Sequence, residues 1–177
     1  GNGSCNPCGK GRCLVWDIRR ENRFNKLSGG NEQLKFCIVP HGDILYEEAL
    51  ALRYLVMRQP LGLSFTPEEV HEDIRDTHIV GLDENGKVLA CAILTWLAPN
   101  VAKMRQVVIA PELQGKGYGT SLVKYFEELV KEEGAEKIVL HARETAVPFY
   151  LKLGYQVVGD PFVEVTIPHF RMEKTIQ

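Results

Sequence analysis

The chain has 177 residues, 45% of them apolar and 25% charged, the balance of one soluble globular domain with a sizeable core. A formal net charge of -2 excludes a polyanion binder driven by bulk charge, and no apolar run approaches the ~20 residues of a membrane-spanning helix. Five cysteines without an export pattern argue against a disulfide framework, and the missing pattern predicts a cytoplasmic protein.

Residues 1–33 read as an extension, partly ordered at best. They are rich in glycine and basic residues, with one short alternating stretch at Leu14, Trp16 and Ile18. Cys5, Cys8 and Cys13 offer one ligand pair and a single. Structural zinc sites usually show two paired sets, so a solvated tail is favoured and no metal is expected. No aromatic-rich nucleic-acid module accompanies the basic residues, so no nucleic-acid partner is expected. Cys37 and Cys91 lie inside apolar runs and read as small core residues.

Residues 34–177 read as a single domain. Leu34–Val39 predicts a strand. Asp43 caps a helix running to about Arg58, with Leu45, Ala49, Leu52 and Val56 on one face. Thr66-Pro67-Glu68-Glu69 is a capping box opening a short second helix. Strands follow at His78–Leu82 and Lys87–Trp96, joined by the Asn85-Gly86 turn. Lys103–Ala110 is a further strand, Thr120–Glu133 a helix ended by Gly134, and Lys137–Ala142 a strand. Thr145–Leu153 is a short helix. Tyr155–Val158 and Val163–Ile167 are strands, and a last one runs through Phe170–Lys174. The order β-α-α-β-β-β-α-β-α-β-β, with that last strand after it, is that of an α/β fold with a mixed twisted sheet flanked by helices.

The sharpest feature is Gln114-Gly115-Lys116-Gly117-Tyr118-Gly119-Thr120, between a strand and a helix. Backbone amides at a helix N-terminus, unshielded by side chains, suit a phosphate or pyrophosphate. A P-loop would need Ser or Thr after Lys116, and Gly117 stands there. A dinucleotide loop would need different glycine spacing and an acidic residue closing a strand ~20 positions on, and no acidic residue closes a strand there. A coenzyme A pyrophosphate loop and a glycine turn without ligand remain.

Gln114-x-x-Gly117-x-Gly119 resembles the [RQ]-x-x-G-x-[GA] loop of the GNAT N-acetyltransferases. Val107-Val108-Ile109-Ala110-Pro111 is similar to the strand leading into that loop. Phe149-Tyr150-Leu151-Lys152-Leu153-Gly154-Tyr155 resembles the family's F-Y-x-x-L-G-[FY] segment. The likeness covers residues 35–174, and the tail Phe162–Met172 is similar to the small bacterial ElaA-like branch. This resemblance implies an acyltransferase that moves an acetyl group from acetyl-CoA to a primary amine by direct attack, without an acyl-enzyme or a metal. It implies that the backbone of Val107, Val108 and Ile109 pairs with the pantetheine arm. The amides of Gln114, Gly115, Lys116, Gly117, Tyr118, Gly119 and Thr120 would hold the pyrophosphate. The acceptor, a small-molecule or protein amine, stays open, and a homodimer is an expectation by analogy. The alternative is a sensor that binds acyl-CoA without chemistry.

The same resemblance implies that Tyr150 protonates the departing thiolate, against the plainer reading of a core tyrosine. The glutamate base common in the family is missing, since Val101–Ala110 contains no acidic residue. His141 at the end of a strand could replace it as a base or bind the cofactor, with a loop hydrogen bond as the competing reading. His169 and Glu164 are others, though a turn residue and a solvated strand residue are the favoured readings. Arg53 and Arg58 could hold an acidic group on the acceptor, with a solvated helix face favoured instead.

Overall fold

The computed structural model describes residues 34–176, so the expectations placed on Cys5, Cys8, Cys13 and the stretch at Leu14–Ile18 lie outside the described residues. The elements are β1 (Lys35–Val39), α1 (Ile44–Arg53), α2 (Pro67–Glu72), β2 (Thr77–Leu82), β3 (Val88–Ala98), β4 (Val101–Ile109), α3 (Tyr118–Glu132), β5 (Lys137–Arg143), α4 (Val147–Lys152), β6 (Gln156–Val157), β7 (Phe162–Glu164) and β8 (Ile167–Thr175). They form one mixed sheet in the order β1-β2-β3-β4-β5-β8-β6, with β7 also paired to β8. Among the described residues, only β4 and β5 run parallel. A parallel pair needs a crossover, and α3 supplies it. The core collects the apolar faces of the sheet and helices, including Ile79, Ile93, Met104, Leu122, Phe126, Ile138 and Met172.

Local chemistry accounts for the helix ends. The Asp43 side chain accepts from the amide of Leu45, and Thr66 and Glu69 form a reciprocal capping box. The first helix does not run regularly to Arg58. It is α-helical to Arg53 and then widens into a five-residue π turn, Tyr54–Arg58, before a 3₁₀ turn at Gln59–Leu61. Such widened turns are rare and often mark functional sites.

Two irregularities in the sheet shape the site. Between the pairs Ile93–Arg105 and Cys91–Val108, β4 carries one residue more than β3. Gln106 stands in this bulge with a left-handed φ of 51°. The second concerns Val163–Ile167, which is not one strand. β7 ends at Glu164, Val165 and Thr166 turn the chain with φ of 48° and 66°, and β8 begins at Ile167. The β-branched run argued for a continuous strand, and the tertiary pairing of β7 on β8 overrides it.

Candidate active site

The parallel pairing of β4 with β5 covers only Val101–Met104 against Lys137–Leu140. Beyond it β4 continues to Ile109 along β3, and β5 continues to Arg143 along β8. The bulge at Gln106 begins where the two strands part. The parting opens a cleft of about 380 Å³. Val107 faces it from β4, His141 and Arg143 from β5, Tyr150 from α4, and Glu164 and His169 from the β7–β8 hairpin. Met57 and Arg58 of the π turn, together with Glu69, line it from the helical side.

Tyr150 is 7% exposed and packs edge-on to Phe149 and Tyr155, with ring centroids 4.9 and 5.6 Å away. Burial pushes its hydroxyl above the ordinary phenol range, so the group stays protonated at neutral pH. Its hydroxyl has no hydrogen-bond partner among the described residues.

Glu164 gathers both histidines. One oxygen lies 3.3 Å from His141 Nδ1 and the other 3.7 Å from His169 Nε2. His169 Nδ1 donates to the Ile167 carbonyl at 2.9 Å, because a carbonyl can only accept. Burial first, then the Lys103 ammonium, lower the pKa of His141, and these outweigh the opposing pull of Glu164. His169 is thus a buried strand residue rather than a turn residue, and Glu164 is a half-exposed bridge between two imidazoles rather than a free solvated side chain.

Arg53 and Arg58 also depart from the solvated-face expectation, being 3% and 6% exposed. Arg53 donates to Asp73 at 2.7 Å and to the Gln106 side chain at 3.3 Å. Asp73 in turn accepts from the Tyr46 hydroxyl at 2.8 Å. This buried network ties α1 to the bulge in β4. Arg58 grips Glu69 with both terminal nitrogens, at 3.3 and 2.8 Å. Both guanidiniums lie over the Phe65 ring, 4.6 and 4.2 Å from its centre.

The glycine loop lies at the far end of β4, outside the cleft lining. Gly115 and Gly117 have φ of 76° and 90°, which side chains rarely tolerate. Gly117 caps α3, so the helix begins at Tyr118 rather than Thr120. The Gln114 side chain donates to the Ile109 carbonyl at 3.1 Å and so ties the loop to the strand. A methyl group on Gly119 would meet Phe149 at 3.3 Å, so glycine lets α3 approach α4 next to Tyr150. Val108 is buried and paired with Cys91, and Ile109 with Ala90.

Sequence reasoning did not single out Lys103, Arg105, Gln106 or Arg143, all of which line the cleft. Lys103 and Arg105 were visible as two cations on alternate positions of a strand whose other face is apolar. Arg143 carries no comparable signal.

A sheet parted between its two parallel strands, with a glycine-rich helix start beside the parting and a buried tyrosine at the cleft, marks an α/β acyltransferase domain. Residues 58–176 match the acetyltransferase (GNAT) domain, and the chain belongs to that family. It is 38% identical over 77 residues to the uncharacterised protein YyaT of Bacillus subtilis, covering 44% of this chain and 52% of that protein. The chain therefore spans about half the length of that relative. The uncharacterised N-acetyltransferase YjcF of the same organism is 33% identical over 110 residues, 60% of this chain and 76% of that protein. The fold is shared with Escherichia coli ElaA, at a TM-score of 0.69 and 18% identity over 80% of this chain and 99% of that one. It is shared as well with a GNAT family acetyltransferase from Elizabethkingia anophelis that has acetyl-CoA bound, at a TM-score of 0.63 and 15% identity over 81% and 98%.

Proposed function

We propose that this protein transfers the acetyl group of acetyl-CoA to a primary amine by direct attack. The observation that carries the reading is the parting of β4 from β5, with the Tyr150 hydroxyl facing the gap and the glycine loop at its outer end. A thioester substrate fits these surroundings. The β4 backbone over Val107–Ile109 has no β5 partner, so it can pair with an extended amide-bearing arm. Gly115 and Gly117 leave the amides before α3 open to an anion, and the helix dipole favours negative charge there. A fold neighbour with acetyl-CoA bound supports the same substrate.

In this reading the amine nitrogen attacks the thioester carbonyl, the C–N bond forms and the C–S bond breaks. The sulfur leaves as a thiolate and takes the Tyr150 proton. Burial keeps Tyr150 protonated at neutral pH, so its hydroxyl holds the proton that the departing sulfur takes up. The proton released by nitrogen passes to His141. Its Nδ1–H can donate to Glu164, which leaves Nε2 with the free lone pair. His169, braced by the Ile167 carbonyl, supports Glu164 from the other side.

The test is thermal shift with acetyl-CoA, together with thiol release across an amine panel. Acetyl-CoA should raise the Tm of the wild-type protein, because a ligand of the native state stabilises it by mass action. Gly117→Asp places a side chain and a negative charge where the pyrophosphate would sit, so it should abolish the shift. A folded Gly117→Asp protein with the full shift would refute the loop assignment.

A further inference from the structure

The cleft holds four side-chain cations, and two of them are already neutralised. Arg58 is bound to Glu69, and Arg105 donates to Asp76 at 2.8 Å. The other two are not. Lys103 is half-buried, and among the described residues it has no hydrogen bond or ion pair, with Glu164 and Asp76 acting on it only from a distance. Arg143 spends one nitrogen on the Met57 carbonyl at 2.8 Å and has no ion pair among the described residues, while the charge of Arg58, another cation, acts on it. A guanidinium has five N–H donors in a planar fork that matches an oxyanion. The two carboxylates lining the cleft do not answer this excess, since Glu69 is held by Arg58 and Glu164 stands between the histidines.

A charge removed from water without a counter-ion is costly, and a bound anion would relieve that cost. The strand register sets the geometry. His141 and Arg143 are two residues apart on β5, so both point to the same face, roughly 6–7 Å apart along the strand. An amine delivered to His141 and Glu164 would therefore have Arg143 within reach of its near substituents.

We propose, resting on the acetyl-transfer reading, that the acceptor is an amine that carries its own oxyanion, a carboxylate or a phosphate close to the nitrogen. Arg143 grips this group, and Lys103, whose charge acts on His141, adds to the positive charge of the cleft. A polycationic acceptor is disfavoured by the same two side chains, which would repel it.

Matched acceptors test this and separate the two oxyanions. L-methionine is compared with L-methioninamide, ethanolamine phosphate with ethanolamine, and glucosamine 6-phosphate with glucosamine. In at least one pair kcat/KM should favour the anionic member by about tenfold or more, the size of one charge-assisted hydrogen bond. Arg143→Gln should raise the KM of that acceptor by a similar factor and leave the KM of acetyl-CoA unchanged. Lys103→Gln, which breaks no hydrogen bond or ion pair among the described residues, should act in the same direction, and it keeps the test available if Arg143→Gln does not fold. The proposal is overturned if neutral members match their anionic partners in every pair, if no anionic amine is acetylated, or if Arg143→Gln raises the KM of acetyl-CoA instead. Thiol release from neutral amines alone would overturn this proposal and leave acetyl transfer standing. No thiol release with any amine and no Tm shift with acetyl-CoA would overturn the transfer reading itself.

Discussion

Tyr150 shows how one hydroxyl separates chemistry from packing. The ring is held by Phe149 and Tyr155, while the oxygen has no protein partner among the described residues. Tyr150→Phe keeps every ring contact and removes only the hydroxyl. The variant should fold, keep its acetyl-CoA thermal shift and lose turnover by roughly 10²–10⁴-fold, the usual loss for a general acid. Wild-type turnover would return Tyr150 to the core. His141 gives a second test at this scale. A base must be neutral to act, and the pKa of His141 lies below the ordinary 6.5 because burial and Lys103 disfavour its imidazolium. The kcat/KM profile should therefore rise with pH through an inflection below 6.5 and lose that inflection in His141→Asn. His169→Gln should keep it. An unchanged profile in His141→Asn would point to proton loss through water or from the free amine.

Among the elements, the β7–β8 hairpin is the one most at odds with its own sequence. Two-residue hairpin turns with positive φ at both central positions suit Asn-Gly, and here Val165 and Thr166 fill them. β-Branched residues in this region are strained. The same turn sets Glu164 between His141 and His169. Replacing Val165-Thr166 by Asn-Gly should relieve the strain and stabilise the protein by roughly 1–3 kcal/mol, read from urea unfolding. No gain would mean that contacts of the two side chains offset the strain. The π turn after α1 is another irregularity that shapes the cleft. It brings Met57 and Arg58 to the cleft, and Arg53 one turn earlier reaches the Gln106 bulge.

The whole molecule responds to acid through a buried histidine and a part-exposed carboxylate on two elements. His78 is buried and donates to the Asp73 carbonyl at 2.7 Å, and burial lowers its pKa from 6.5. A lowered folded-state pKa means that the unfolded chain binds protons first. The stability is fully present above about 6.5 and is lost as the pH falls through the lower folded-state value. Glu69, lowered from 4.5 chiefly by its hydrogen bond to Arg58, opens a second, more acidic window by the same sign. Urea midpoints should therefore be flat above pH 6.5 and fall in two stages below it. His78→Gln keeps an N–H donor without a titrating ring, so it should remove much of the upper stage. An identical upper stage in that variant would assign it to other groups.

The element order, the capping residues and the glycine loop were all legible in the sequence, because each is decided by neighbours a few residues apart. Gly115 and Gly117 occupy φ values that local sterics reserve for glycine, and the capping box at Thr66 closes within one turn. The F-Y-x-x-L-G-[FY] resemblance likewise pointed to Tyr150, which does face the cleft. What local chemistry could not reach were contacts between distant segments. Arg53 and Arg58 looked like solvated helix residues until Asp73, Gln106 and Glu69, up to 53 positions away, supplied partners. Val163–Ile167 has strand propensity throughout, and only pairing on β8 folds it into a hairpin. The meeting of His141, Glu164 and His169, and the position beside them of Arg143, which has no ion pair among the described residues, depend on β5 and β8 lying side by side while β4 turns away. A charge reads as solvated in a sequence because water is the default partner, and only the tertiary fold decides which charges lose that water and what replaces it.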